Sequence, residues 1–187
     1  LAAGCGAPER TRGQALEILM ASPPANLDPR YATDAASMRI SRLVHAGLTR
    51  LDERTLVPAP YVARSWESDS EGRTQVHLRD DVRFASGAPC EAEDVCATLR
   101  AFADPAVASP HRAVTSSIAQ CEVLSAHTLR LTLSVGRASL LSDLEVPILR
   151  RDQAKGPPRP EGSLDGLGPY RIVEARGSVT TLAAREN

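Results

Sequence analysis

From Thr74 to Arg79 the chain alternates, with Thr74, Val76 and Leu78 set against Gln75, His77 and Arg79. A period of two marks a strand buried on one face. The polar run Ser68 to Gly72 predicts a turn before it, and Asp80-Asp81 a turn after it. Val82 and Phe84 predict a short second strand, closed by Ser86-Gly87-Ala88-Pro89. A helix is expected from Glu91 to Phe102, because Val95, Leu99 and Phe102 recur at helical spacing as one stripe. Glu91, Glu93 and Asp94 place negative charge at its N-terminus, where the helix dipole favours it, and Ala103-Asp104-Pro105 stops it. A hairpin follows, from Cys121 to Leu124 and from Leu129 to Val135. Its second arm sets Leu129, Leu131, Leu133 and Val135 on one face.

The flanks follow the same logic. Ala15 to Met20 reads as a short apolar strand, and the prolines at 23, 24 and 29 keep the next segment out of a helix. Asp34 is placed to cap a helix over Ala35 to Ala46, ended by Gly47, with a short strand over Leu48 to Leu51. Pro58 and Pro60 stiffen the approach to Trp66, the only tryptophan. Ser139 to Leu144 reads as a helical turn. Arg151 to Gly166, rich in proline and glycine, reads as a linker or exposed crossing. A last hairpin pairs Tyr170–Ala175 with Val179–Ala184 around Arg176-Gly177. The order of elements gives a mixed α+β architecture, of the α/β class.

Composition narrows the function. With 187 residues, a net charge of -1 and 3% aromatic residues, the chain has neither the basic excess nor the stacking surface of a nucleic-acid binder. Lys155 is the only lysine against 21 arginines, a compositional bias with no mechanism attached. Leu1-Ala2-Ala3-Gly4-Cys5 sets small residues directly before a cysteine, as signal-peptide cleavage requires, and resembles a bacterial lipobox with Cys5 as the acylated residue. The polar stretch Ala7 to Gln14 then serves as a tether. Cys90, Cys96 and Cys121 have no metal-binding spacing. In an exported chain Cys121 pairs with Cys96 or with Cys90 if the helix packs on the strand, and the sequence leaves both open. The four histidines, His45, His77, His111 and His127, are isolated in sequence, and each reads as a surface or satisfied strand residue. No phosphate-binding glycine loop, nucleophile elbow or zinc-protease motif is present, so the sequence points away from an enzyme and implies no cofactor and no metal.

One set of phrases, in order along nearly the whole chain, carries more. These are Leu27-Asp28-Pro29, HAGLTRLD (45–52), LVPAPYVARSWE (56–67), TQVHLRDDVRFASGAPCEAEDV (74–95), HTLRLTL (127–133) and GLGPYRIVE (166–174). The chain resembles the family 5 extracellular solute-binding proteins, the dipeptide-, oligopeptide- and nickel-binding receptors of bacterial ABC importers. It departs from the family wording at Ala46, Pro60, Glu91 (a weaker helix cap than the usual threonine) and Leu167.

The resemblance implies a lobe of the type II periplasmic-binding-protein fold carrying an inserted small sheet-plus-helix subdomain. Residues 1–14 would be lipobox remnant and tether, 15–51 the first segment of lobe one, 52–155 the inserted subdomain, and 156–187 linker and return strands. The second lobe of such receptors has no counterpart here. It further implies capture of peptides or a related small solute and delivery to the permease subunits, at the cell envelope and through a lipid anchor at Cys5. The alternative is a stand-alone lipoprotein domain using the scaffold for protein–protein contacts. Carried over position by position, Thr33, Asp34, Ala35 and His111 are the expected ligand contacts. For Asp34 the helix cap is the first reading, and for His111 the first reading is a loop histidine. Trp66 is expected to pack rather than to bind.

Overall fold

A computed structural model describes residues 17–135 and 138–185. The predicted alternation at Thr74–Leu78 becomes strand β4 (Arg73–Leu78), whose Thr74, Val76 and Leu78 are buried. It is an inner strand of a four-stranded antiparallel sheet in the order β3-β4-β6-β5, with β3 Ala63–Ser68, β5 Ile118–Ser125 and β6 Thr128–Leu133. Leu129 and Leu131 fill the core from β6, whereas Val135 lies beyond the strand and is exposed.

The partner expected at Val82–Phe84 is not a strand. Arg83 makes one isolated bridge to Pro89, and Phe84 is buried as a plug within a loop closed by Phe84 N–H donating to Ala88 O. The strand that does pair with β4 on that side is β3, which carries Trp66, half-buried against the core. The expected strand at Ala15–Met20 does not form over 17–20, and Ala15 and Leu16 lie outside the described residues. Cys5 also lies outside them.

Helix α2 (Ala92–Ala103) packs across the sheet on Val95, Leu99 and Phe102. Glu91 and Asp94 form a reciprocal capping box at its start. The carboxylate of Asp94 accepts the Glu91 N–H at 2.9 Å, while Glu91, Glu93 and Asp94 all pair with Arg151. Arg151 opens a short helix, α5 (Arg151–Ala154), so this charge cluster fastens the segment after the subdomain to the start of α2. On the other side, Cys96 of α2 forms a disulfide with Cys121 of the edge strand β5. Between the two alternatives open in sequence, this is the pairing. Cys90 is left as a buried thiol pushed up to about 12 by burial, which keeps it unreactive.

Helix α1 (Ala35–Val44) begins where Asp34 accepts the Ser37 N–H at 2.9 Å. It ends at Val44 rather than Ala46, because His45 turns to an extended conformation. The short pair β1 (Thr49–Leu51) and β2 (Pro58–Pro60) follows it. Short helices α3 (Arg112–Thr115) and α4 (Leu140–Asp143) flank β5–β6. The last hairpin, β7 (Tyr170–Arg176) with β8 (Val179–Ala184), lays Ile172 and Leu182 on a small core of Leu27, Ile40 and Val44.

The expected linker at 151–166 is instead a pinned crossing. Ala154 and Leu164 are buried, and Arg30 donates to the carbonyls of Ala154, Gly156 and Pro157. Arg30 is itself fully buried and paired with both carboxylate oxygens of Asp28, of which Oδ2 also accepts the Arg159 N–H. The Leu-Asp-Pro phrase is thus a structural clamp: Asp28 holds the arginine that ties the first segment to the returning chain. The glycines of GLGPY are set by packing. A Cβ at Gly166 would lie 2.0 Å from Val44 O, and one at Gly168 would lie 2.4 Å from Leu43 O, both at the end of α1.

Candidate functional site

An open groove of about 610 Å³ runs beside α1. It is lined by Met38, Ser41 and Arg42 of α1 with His45 at the helix end, and by β1 and the turn after it, from Arg50 to Glu53 and Leu56, together with Tyr61. Phe102 and His111 also line it, as do Asp143 at the end of α4 and Glu145 and Val146 just after it. The volume falls within the range of small-molecule sites, about 300–1,000 Å³. Its lining mixes apolar side chains with a few charges, the usual composition of a site that both buries and orients a solute.

Several of these side chains are already committed. Glu145 accepts the Leu51 N–H at 2.7 Å and so supports β1. Asp52 accepts from Arg54 N–H, Thr55 N–H and the Thr55 hydroxyl, and these bonds hold its carboxyl below the usual range. The Arg50 guanidinium sits 5.3 Å from the centre of the Tyr61 ring, a cation–π contact on the groove wall.

Among the expected contacts, His111 lines the groove. Its Nε2 lies 2.7 Å from Ala32 O; a carbonyl only accepts, so Nε2 carries the proton and, in the neutral ring, Nδ1 is left as an acceptor. Its ring is 6.4 Å from that of Phe102, and its backbone N–H donates to Ser109 Oγ. Thr33 and Ala35 are exposed beside Ala32 at the start of α1 and do not line the groove. Asp34 is turned to the backbone, accepting Ser37 N–H and Ala25 N–H. The hydrogen bonds from Ser37 lead the effects that hold its carboxyl below the ordinary value. The structure therefore brings His111 to the groove and leaves Thr33, Asp34 and Ala35 next to it.

His45 departs from its expectation as a surface or satisfied residue. It is 3% exposed, and its Nδ1 is buried without a hydrogen-bond partner. Burial pushes its pKa down to about 4, so the ring is neutral at pH 7. His45 and Leu56 each open a phrase that carries the family resemblance, yet nothing in those phrases marks either as a groove residue. Among the described residues no group of three or more His, Cys, Asp or Glu side chains is placed to hold a metal ion, and no helix is long and apolar enough to cross a membrane.

Comparison with known proteins gives the class. The profile described as "Bacterial extracellular solute-binding proteins, family 5 Middle" matches residues 57–187. The chain belongs to the family 5 extracellular solute-binding proteins, binding receptors rather than enzymes. It is 27% identical over 124 residues to the nickel-binding periplasmic protein of Escherichia coli K12, covering 63% of this chain and 24% of that protein. It is 34% identical over 88 residues to the periplasmic oligopeptide-binding protein OppA of the same organism, covering 46% of this chain and 16% of that one. The structure of NikZ from Campylobacter jejuni in complex with Ni(L-His) matches with a TM-score of 0.77 at 26% identity, over 86% of this chain and 33% of that chain. That of MoaA from A. tumefacien R10 in complex with mannopinic acid matches with a TM-score of 0.79 at 25% identity, over 88% of this chain and 36% of that chain. The chain thus spans a quarter or less of these curated relatives' length and about a third of the solved ones. An exported location follows from the family, and the Cys96–Cys121 disulfide suits the oxidising compartment it implies.

Proposed function

We propose that this chain forms one wall of a solute-capturing site of an ABC importer, and that the groove beside α1 is that wall. The observation carrying this reading is the groove itself, with His111 and Tyr61 set into a lining whose supporting charges are already anchored. The solute is a peptide or a related small molecule, closed in when a second lobe folds over it and then handed to the permease. The division into segments 15–51, 52–155 and 156–187 belongs to the same reading. Thr33 and Ala35, on the rim, contact the solute only on closure; Asp34 serves the helix. Acylation at Cys5 tethers the protein to the membrane, so Cys5→Ala moves it from the membrane fraction to the soluble fraction. An unchanged membrane fraction contradicts the anchor.

An open wall leaves most of a small ligand wet, whereas full sites bury about 70–90% of it. Calorimetry of the 187-residue chain with a tripeptide, a nickel–histidine chelate and mannopinic acid therefore reads dissociation constants weaker than about 1 μM, the level worth roughly -8 kcal/mol. Sub-micromolar binding by this chain would contradict the one-wall reading. Absence of heat with all three probes would contradict the groove as a solute wall.

A further inference from the structure

The turn joining β1 to β2 keeps two unfavourable features at one residue. Leu56 has φ of 55°, the left-handed region that favours glycine, and it is 70% exposed. A leucine is neither needed nor favoured for such a turn, since glycine or asparagine takes this conformation more readily. The turn holds it firmly all the same. Leu56 N–H donates to Asp52 O at 2.8 Å, Asp52 N–H donates to Val57 O at 3.0 Å, and the Asp52 carboxylate accepts from Arg54 and Thr55. The side chain is therefore presented by a pinned backbone, and it lines the groove. Among the exposed large hydrophobic residues that are described, Leu56 and Met38 are the two that line it, one on the turn and one on α1.

We propose that Leu56, with Met38, is the apolar selectivity contact of the groove, and that the solutes it favours carry an aliphatic side chain. This rests on the reading of the groove as a solute wall. The occupant is a small solute because the cavity has a small-molecule volume and the family is one of solute receptors. A leucine-sized aliphatic group moved from water against these side chains gains free energy with the area buried, and a polar solute of the same size gains nothing there.

The test uses N-acetyl-leucinamide and N-acetylglycinamide as probes, followed through the backbone amides of the chain by NMR. The expected result is binding of the leucine probe about tenfold tighter, with shifts at residues 51–57 and Tyr61. In Leu56→Gly and Leu56→Asn that preference disappears, while the melting temperature holds or rises because both residues accept the backbone conformation. Equal affinities for the two probes in the native chain overturn the proposal, as does a preference that survives in both variants. A fall in melting temperature in both variants also overturns it, since the leucine would then be serving the fold. Failure here leaves the solute wall standing if the tripeptide, chelate or mannopinic acid still shifts groove amides. Silence from those three as well removes the wall itself.

Discussion

His45 shows how one side chain's chemistry is set by residues far from it in sequence. Burial makes its charged form costly, and the attraction of Asp28 and Asp165 offsets this only in part. The unfolded chain takes up a proton near pH 6.5, and the folded one does so only near pH 4. Stability is therefore level above pH 6.5 and falls as the pH drops from 6.5 towards 4, by on the order of 3 kcal/mol for the full shift. Urea denaturation at pH 7 and at about pH 4.5 should show this loss in the native chain and a shallower one in His45→Phe. Identical pH dependence in the two would contradict the burial account. None of this was legible in the sequence, where His45 is one of four isolated histidines. Asp34 was legible as a cap because its partner, Ser37, is three residues away. His111 could be named only through the family resemblance, since its partner Ala32 is 79 residues distant.

At the scale of elements, most of what local pattern predicts formed: α1, α2, β4, the β5–β6 hairpin and the β7–β8 hairpin. Strand β3 gave no alternation because a single residue of it, Ala63, is buried, and pairing with β4 alone makes it a strand. Val82 and Phe84 misled for the opposite reason, being apolar enough for a strand but recruited as loop residues packed on the core. The crossing at 151–166 has a linker's composition, and the ordering comes from Arg30, over 120 residues earlier. Two tests belong at this scale. Cys96 and Cys121 are 25 residues apart, and losing a cross-link of that span should cost about 3 kcal/mol. Cys96→Ala/Cys121→Ala compared with the native chain by denaturant unfolding measures it. Equal midpoints would mean that α2 and the charges around Arg151 hold β5 in place without the cross-link. Gly166→Ala should cost at least about 2 kcal/mol, read as a lowered melting temperature, because its Cβ would meet a backbone carbonyl that cannot move without shifting α1. An unchanged melting temperature would show that the helix end can give way.

For the whole molecule, the phrases that identify the family are mainly those that build it. Asp28 clamps Arg30, the glycines at 166 and 168 admit the end of α1, and Trp66 packs against the core. Several residues facing the groove, among them His45, Thr49 to Asp52, Leu56 and Tyr61, lie within two of those same phrases. The phrases disclose family and fold, whereas the long-range packing that turns Leu56 and His45 towards the groove is not written in them. The measurement that tests the account most directly is a backbone-amide NMR titration of the chain with the tripeptide, the nickel–histidine chelate and mannopinic acid. The account predicts that at least one of them shifts the amides of Leu51, Asp52, Tyr61 and His111 together, leaving Val123 and Val173, on β5 and β7, unmoved. Shifts confined to those outer strands, or none along the groove with any of the three, would contradict it.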